Sequence, residues 1–304
     1  SFTLPNGLRV MLAEEHSEPK VFGGILVHAG SKNEDPNITG VAHYFEHMMF
    51  KGTDRIGTIN WAAESLYLDS ISAQYDKLHA TSDETERKAI QREINRLNIA
   101  ATKYAIPNEV DAILSKIGST GVNAGTSYDY TVYYNAFPSN QMENWMDIYV
   151  ERFRYPVFRL FQSELEAVYE EKNMYEDSPI YAFQRQMFKE CFGEHPYSRD
   201  VIGLGEHLKN PQPSEMRRFF DTYYVANNMV LVLVGDFDIE SIKPMIENKF
   251  GSMRQGVLPE SPNYNLPTFE KRTIKEVKMT PIPLGMIVFP GVPAGHPDEI
   301  PLQV

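Results

Sequence analysis

Cysteine is almost missing from this chain, because Cys191 is the only one among 304 residues. One cysteine cannot form a disulfide within the chain, and it cannot build a zinc site from several thiolates. The sequence also lacks any apolar run of the roughly 18 residues that a membrane-spanning helix needs. These absences exclude a disulfide-stabilised scaffold, a cysteine-based zinc finger and a membrane-spanning helix within these residues.

An excess of positive charge is missing as well. The chain has 29 Lys and Arg residues against 41 Asp and Glu residues, a formal net charge of −12. This balance argues against nucleic acid and anionic membrane surfaces as the main partners. The apolar content of 42% is sufficient for one large domain or two smaller ones.

Strands and helices are predicted to follow one another in an irregular order, which is typical of an α+β fold with a layered mixed sheet packed with helices. Alternating runs predict strands at 8–15, 21–30, 128–134 and 227–237, and the glycines at 118, 121 and 125 are interpreted as turns. Apolar residues at helical spacing predict helices at 140–156, 163–179, 180–192, 215–225 and 239–251. Ser163 and Glu166 form a capping-box pattern for the second of these helices.

A helical hairpin is predicted between residues 61 and 104, inside an insertion at about 58–107. Asn60 is the expected cap of its first helix, and Asp83 with Glu86 forms a capping-box pattern before its second. The outer face is polar and charged. It could serve as a partner or gating surface, but we favour a packed insertion because charged helix faces are commonly just solvated.

The sequence changes character near residue 256. Residues 254–268 are rich in Pro, Gly, Ser and Asn, which predicts a linker, and 273–279 and 284–292 are predicted strands. We therefore divide the chain into a first domain at 1–256 and the beginning of a second at 257–304. The last residues are typical of the start of a helix, so we expect the native protein to be longer.

The stretch TGVAHYFEHMMFKGT, residues 39–53, places two histidines and a glutamate close together in an apolar context. In a helix, His43 and His47 lie one turn apart on the same face, and Glu46 borders that face. A buried helix that carries these polar groups toward one point needs something to satisfy them, and a metal ion would do so. Glu46 could take a proton from a metal-activated water and return it to a leaving group.

A catalytic zinc site usually has three protein ligands, so a third must come from elsewhere in the fold. In SELEAVYEEKN, Glu164 and Glu171 are seven residues apart and share one helix face. This pair suits one metal ligand and one carboxylate that orients the site. Glu170 points about 100° away from Glu171 and is the second choice.

The inverted His-x-x-Glu-His motif is known from zinc peptidases. Together with its flanking residues, this stretch resembles the signature of the insulinase–pitrilysin family of zinc metallopeptidases. The resemblance covers most of residues 4–250. It extends to the segments NGLRV, VNAGTSYDYTVYY, SELEAVYEE, HPYSRDVIG and NNMVLVLVGDF.

The resemblance implies a zinc endopeptidase that holds one Zn²⁺ per chain. His43, His47 and Glu171 would be the ligands, with Glu164 behind them and Glu46 as general base and acid. Asn123 and Ala124 would lie on a strand edge beside the backbone of a peptide substrate. Pairing with a sheet edge suits substrates of many sequences, because main-chain hydrogen bonds hold them.

The family builds its chamber from two homologous halves, so the resemblance also implies a second half or subunit as partner. One alternative is a non-catalytic or partner-dependent half that binds peptide or assembles the chamber. Another is a zinc hydrolase that acts on a non-peptide bond. The segment that contains the hairpin is longer than the family usually has, so the resemblance gives it no role. Among the compartments in which the family occurs, the bacterial periplasm is the leading expectation.

Overall fold

The computed structural model describes residues 1–262, 264, 266–268, 272, 274–276, 283 and 285–303. A six-stranded sheet has the order β1-β2-β6-β3-β5-β4. β2 and β6 are parallel, and the other neighbouring strands are antiparallel, so the predicted mixed sheet is confirmed. The strands are β1 (Phe2–Thr3), β2 (Arg9–Glu14), β3 (Lys20–Val27), β4 (Thr120–Thr126), β5 (Thr131–Pro138) and β6 (Met229–Gly235).

Helices and strands together form the predicted α+β arrangement. The helices before residue 160 are α1 (Val41–Met48), α2 (Trp61–Ala80), α3 (Glu84–Ala101), α4 (Glu109–Lys116) and α5 (Met142–Arg154). Those that follow are α6 (Phe161–Glu176), α7 (Pro179–Phe192), α8 (Gly205–Leu208), α9 (Pro213–Tyr223), α10 (Ile239–Phe250) and α11 (Glu299–Gln303). No helix in the described part of the chain is both long and apolar enough to cross a membrane.

One face of the sheet is buried because apolar residues alternate along its central strands. Tyr133 and Phe137 of β5 are almost fully buried, and the Phe137 ring stacks on Trp145 of α5 at a centroid distance of 4.9 Å. A Cβ atom on Gly23 would lie 2.6 Å from the Trp145 ring, so this close approach of helix to sheet requires glycine. Burying each large apolar side chain contributes about 1.5–3 kcal/mol.

The predicted helical hairpin is present as α2 and α3. The Asn60 side chain accepts a hydrogen bond from the Ala63 amide at 3.2 Å, and Asp83 accepts one from the Glu86 amide at 2.8 Å. Both predicted caps therefore begin their helices. Apolar residues at helical spacing, such as Ile71 and Ile94, are buried where the two helices pack.

Three local predictions were wrong. Gly121 and Gly125 lie within β4 and not in turns, because a glycine-rich edge strand lacks the side-chain alternation that reveals a strand. Tyr128 and Tyr130 lie between β4 and β5 and not in a strand. Ser163 does not cap α6, which begins two residues earlier because buried Phe161 starts the helix. Helices α4 and α8 were not predicted.

The predicted strand at 273–279 lies largely outside the described residues, and the one at 284–292 lies partly outside them. Residues 285–292 carry no strand in the structure. The division into two domains at about residue 256 therefore stays a prediction.

Candidate metal centre

Helix α1 owes its orientation to its buried apolar face and to an acidic cap. The Glu34 carboxylate accepts hydrogen bonds from the amides of Gly40 and Ala42 at 2.9 and 2.7 Å, at the start of the helix. Burial raises the pKa of Glu34 to about 8, although these two hydrogen bonds act in the opposite direction. Phe45 and Met48 are fully buried, so the opposite face of α1 is the one that faces the cleft.

Helix α6 packs against α1 and presents two of its glutamates, Glu164 and Glu171, to it. Phe161 and Val168 are buried, and the Tyr44 hydroxyl donates to the Phe161 carbonyl at 2.5 Å. This packing places Glu164 and Glu171 beside the histidines of α1. Two segments more than 110 residues apart in sequence thus form one polar cluster.

Three donor atoms converge at the centre of this cluster. The Glu171 Oε2 atom lies 3.5 Å from His43 Nε2 and 3.4 Å from His47 Nε2, and one ligand atom from each residue lies within 4.8 Å of the others. Ligands about 2.0–2.2 Å from a tetrahedral zinc lie roughly 3.3–3.6 Å apart. The donor types, and the two distances from Glu171 to the histidines, therefore fit a zinc ion.

A second set of contacts fixes these three side chains. Glu164 Oε1 lies 2.9 Å from His47 Nδ1, and Lys51 Nζ lies 2.5 Å from Glu164 Oε2. With the proton on Nδ1, Nε2 of His47 keeps its lone pair for a metal. The Tyr175 hydroxyl donates to Glu171 Oε1 at 3.0 Å, which leaves Oε2 directed at the histidines. His43 Nδ1 is buried and has no hydrogen-bond partner among the described residues.

The charges of the cluster shift several pKa values. Hydrogen bonds with His43 and His47 hold the pKa of Glu171 well below its usual range. Burial of His47 opposes its protonation, but hydrogen bonds with Glu164 and Glu171 outweigh burial and raise its pKa to about 9. Burial acts to raise the pKa of Glu164, but hydrogen bonds with His47 and Lys51 outweigh it and lower that pKa. The site therefore holds its carboxylates ionised and attracts cations.

Glu46 lies beside the ligands at the wall of the same cleft, which has a volume of about 970 Å³. Only 8% of its surface is exposed, and its Oε2 accepts a hydrogen bond from the Thr126 hydroxyl at 2.6 Å. Thr126 is the last residue of β4. The carboxylate is thus fixed to the end of the strand that carries Asn123 and Ala124.

Asn123 and Ala124 lie on β4 at the edge of the sheet. They pair with Tyr134 and Tyr133 of β5, and β4 has no second neighbour among the described strands. The Ala124 amide donates to the Asn123 side-chain oxygen at 2.9 Å. The structure thus brings all seven predicted site residues to one cleft, whereas Glu170 is exposed and lies outside the donor cluster.

Sequence reasoning missed three residues that contact this cluster: Lys51, Thr126 and Tyr175. Tyr175 follows Glu171 by four residues on a helix, so its spacing could have indicated the contact. Lys51 stands only four residues after His47, but its pairing with Glu164 depends on how α1 and α6 pack. Thr126 reaches Glu46 across 80 residues of sequence, and no local pattern reveals such a contact.

Comparison with known families places the chain among peptidases. The model for the family described as "Insulinase (Peptidase family M16)" matches residues 9–66 and 94–204. A second model, described as "Peptidase M16 inactive domain", matches residues 212–304. The unmatched residues 67–93 lie within the helical hairpin.

Among curated proteins, the chain is 25% identical over 300 residues to the uncharacterized zinc protease YmxG of Bacillus subtilis, covering 97% of this chain and 60% of YmxG. It is 22% identical over 309 residues to a probable mitochondrial-processing peptidase subunit beta of Arabidopsis thaliana, covering 99% of this chain and 48% of that protein. The chain therefore spans at most 60% of the length of these relatives.

Solved structures share the fold. A protease from Helicobacter pylori superposes with a TM-score of 0.67 at 22% identity, covering 88% of this chain and 53% of that one. The first half of the periplasmic protease PqqL from Escherichia coli gives a TM-score of 0.65 at 23% identity, covering 88% of this chain and 48% of that one.

Proposed function

The chain belongs to the insulinase family, peptidase family M16, with curated relatives named zinc proteases, and on that basis we propose that it is a zinc-dependent endopeptidase. The observation that carries the proposal is the convergence of His43, His47 and Glu171 in the cleft that Glu46 also lines. The proposed reaction is hydrolysis of peptide bonds in extended peptides or small unfolded proteins.

His43, His47 and Glu171 would hold one zinc ion. Glu164 would orient His47 through Nδ1, and Lys51 would hold Glu164 in turn. When bound, zinc supplies a Lewis acid that polarises the scissile carbonyl and lowers the pKa of a water toward neutrality. Second contacts of this kind matter because they fix the direction of the ligand lone pairs.

Glu46 moves the proton in this mechanism. Its carboxylate takes a proton from the attacking water as the water oxygen bonds to the carbonyl carbon. It then gives that proton to the nitrogen as the carbon–nitrogen bond breaks, so the leaving group departs as a neutral amine. The Thr126 hydroxyl holds one oxygen of Glu46 at 2.6 Å, which leaves the other oxygen for the proton transfer.

The edge of β4 would hold the substrate. An extended peptide beside Asn123 and Ala124 would add a strand to the sheet, with its backbone held by main-chain groups. Because β4 ends at Thr126, which contacts Glu46, this added strand would run directly toward the proposed proton carrier. An edge of this kind favours a peptide over a non-peptide substrate.

A second homologous half or subunit is the partner we propose. The chain spans about half of the solved protease from H. pylori, and it superposes on a structure described as the first half of PqqL. This partial coverage supports a second candidate function, a partner-dependent half that binds peptide or assembles the chamber without turnover alone. The description of PqqL as periplasmic supports a periplasmic compartment for this chain too.

Metal content and peptide hydrolysis test the proposal together. After zinc loading and desalting, we expect about one zinc per chain, lost in Glu171→Gln and kept in Glu170→Gln, its exposed neighbour. We expect Glu46→Gln to keep zinc and to slow hydrolysis of an unstructured peptide by about 10²–10⁴-fold.

The absence of zinc in the wild type would refute the metal site. Zinc without turnover in the wild type would favour the partner-dependent half, and equal turnover by Glu46→Gln would refute the role of Glu46.

A further inference from the structure

Arg159, two residues before α6, is buried to 1% exposure and makes five hydrogen bonds. Its Nε and Nη2 atoms contact the two carboxylate oxygens of Glu64 at 2.9 and 3.1 Å. Nη1 donates to the carbonyls of Lys51 and Ile56 at 2.6 and 2.9 Å, and Nη2 donates to the carbonyl of Thr53 at 2.7 Å. Every donor of the guanidinium therefore has a partner, as a buried charge requires.

The loop at residues 51–57, which follows the metal-binding helix α1, is wrapped around this guanidinium. A Cβ atom on Gly57, where φ is +90°, would lie 2.6 Å from Arg159 Nη1. Only glycine permits both the positive φ and this close approach. The shape of the loop is thus adapted to the arginine inside it.

Glu64 supplies the balancing charge from a different part of the chain. It lies in the first turn of α2, the first helix of the hairpin, and its exposure is 0%. The family model stops matching at residue 66 and resumes at residue 94. Glu64 lies just inside the matched segment, at the base of the hairpin, and from there it contributes a buried anion to the loop beside the metal centre.

A continuous series of contacts leads from Glu64 to a metal ligand. Arg159 holds the Lys51 carbonyl at 2.6 Å, and the Lys51 ammonium contacts Glu164 at 2.5 Å. Glu164 in turn contacts Nδ1 of His47 at 2.9 Å. Between residues, each step is a hydrogen bond or an ion pair of buried or half-buried groups, where such interactions are strong, and within Lys51 the series runs along the residue itself from its carbonyl to its ammonium.

We propose that Glu64 and Arg159 are positioning residues for the metal centre, through which the hairpin fixes Lys51 and so the hydrogen bond between Glu164 and His47. This inference rests on the proposed zinc site and gives the hairpin a role in it. The competing interpretation is that the ion pair only stabilises the fold, which would leave metal binding unaffected in every variant that folds.

The test uses Glu64→Gln, which keeps the shape of the side chain but removes the charge that balances Arg159. We expect zinc affinity to fall roughly threefold to tenfold, less than the 10–100-fold typical of residues that contact a ligand directly. The visible bands of the Co²⁺-substituted protein, which report ligand geometry, should shift as well. Arg159→Lys should have a larger effect, because an ammonium cannot reproduce the five contacts.

Two controls separate positioning from stability. Ile94→Ala leaves a cavity in the hairpin core without touching the ion pair, and Glu93→Gln removes an exposed ion pair with Arg96 on the same hairpin. We expect both controls to keep wild-type zinc affinity and the wild-type cobalt spectrum. A folded Glu64→Gln protein with wild-type affinity and spectrum would overturn the inference, as would an Ile94→Ala protein with the same spectral change.

The metal-free protein provides a readout that does not depend on the proposed function. Histidine ¹⁵N resonances report the hydrogen bond at Nδ1 of His47 directly. If the wild type binds no zinc, the proposed function fails, but a His47 resonance that moves in Glu64→Gln and not in Glu93→Gln still supports the coupling. A His47 resonance unchanged in both variants would overturn it.

Discussion

Two clusters of charged groups are joined by the loop that follows α1, and they differ in how their charges are balanced. In the Glu64–Arg159 pair, one anion and one cation satisfy each other together with three backbone carbonyls. In the candidate metal centre, the carboxylates of Glu46, Glu164 and Glu171 line one cleft, and Lys51 pairs with Glu164. The first cluster needs nothing from outside the chain. In the second, Lys51 and protonated His47 leave an excess of one negative charge at neutral pH, and the excess becomes two when His47 gives up its proton to bind a divalent cation.

The two clusters show that buried charge can contribute to structure when it is balanced and to ligand binding when it is not. A balanced and fully hydrogen-bonded pair holds its surroundings in one geometry, and breaking it leaves an uncompensated charge in the interior. An unbalanced cluster with convergent lone pairs is suited to bind an ion.

The largest expected effect comes from breaking the balanced pair on one side only. Arg159→Met leaves the Glu64 carboxylate buried without a partner, and we expect it to lower the free energy of unfolding by about 3–5 kcal/mol. Urea denaturation would measure this loss. The double variant Glu64→Leu, Arg159→Met removes both charges and should recover much of it. If Arg159→Met were as stable as the double variant, the buried Glu64 carboxylate would carry no penalty, and this account of the pair would be wrong.

Zinc should stabilise the unbalanced cluster by mass action. At a free zinc concentration one hundred times the Kd, we expect the free energy of unfolding to rise by about 2.7 kcal/mol, with a corresponding rise in Tm. A chelator should reverse the rise in Tm. Glu171→Gln should show little or no zinc-dependent rise, while Glu170→Gln should behave as the wild type. An equal rise in both variants would mean that zinc binds somewhere else.

The pH dependence of zinc binding tests whether His47 is a metal ligand in the unbalanced cluster. His47, whose pKa is raised to about 9 in the metal-free protein, must lose its proton before Nε2 can bind zinc. Zinc affinity should therefore increase as pH rises toward 9, by up to about tenfold per unit, and acid should release the metal. Competition with a zinc-binding dye between pH 6 and 8 would measure this slope, and a flat profile would argue against His47 as a ligand.

The convergence of the candidate metal ligands was largely predictable from sequence, because these residues lie at short and regular spacings. His43, Glu46 and His47 fall within five residues, and Glu164 and Glu171 are two turns apart on one helix. Such patterns predict which side chains share a face before any packing is known. The resemblance to a known family then identified α6 as the helix that faces α1, and the distances between their side chains agree.

The balanced pair could not be predicted in the same way. Glu64 and Arg159 are 95 residues apart, and in sequence each resembles a charged residue on a solvated surface. The edge strand β4 could not be recognised from its own residues, because its glycines suggest turns, and only the family resemblance placed Asn123 and Ala124 on a strand edge. Local patterns indicate the faces of single elements, while contacts between distant elements depend on tertiary packing.

The smallest expected effect comes from removing a helix cap in the hairpin. It tests whether the metal centre depends on the stability of the hairpin or on the contact of Glu64 with the loop. Asp83 caps α3 through the Glu86 amide at 2.8 Å, far along the hairpin sequence from Glu64. Asp83→Ala should lower the free energy of unfolding by about 1 kcal/mol, because a helix start loses its hydrogen-bond acceptor. Asp83→Asn, which keeps an acceptor oxygen, should cost less.

Neither Asp83 variant should change zinc affinity, since the ion pair of Glu64 with Arg159 stays in place. Paired measurements of unfolding by urea and of zinc affinity by dye competition would establish both points on the same samples. If Asp83→Ala weakened zinc binding as much as Glu64→Gln, the metal centre would depend on the overall stability of the hairpin, and the ion pair would have no special place in it. If the two variants differ as expected, the influence of the hairpin on the metal centre passes through one buried contact.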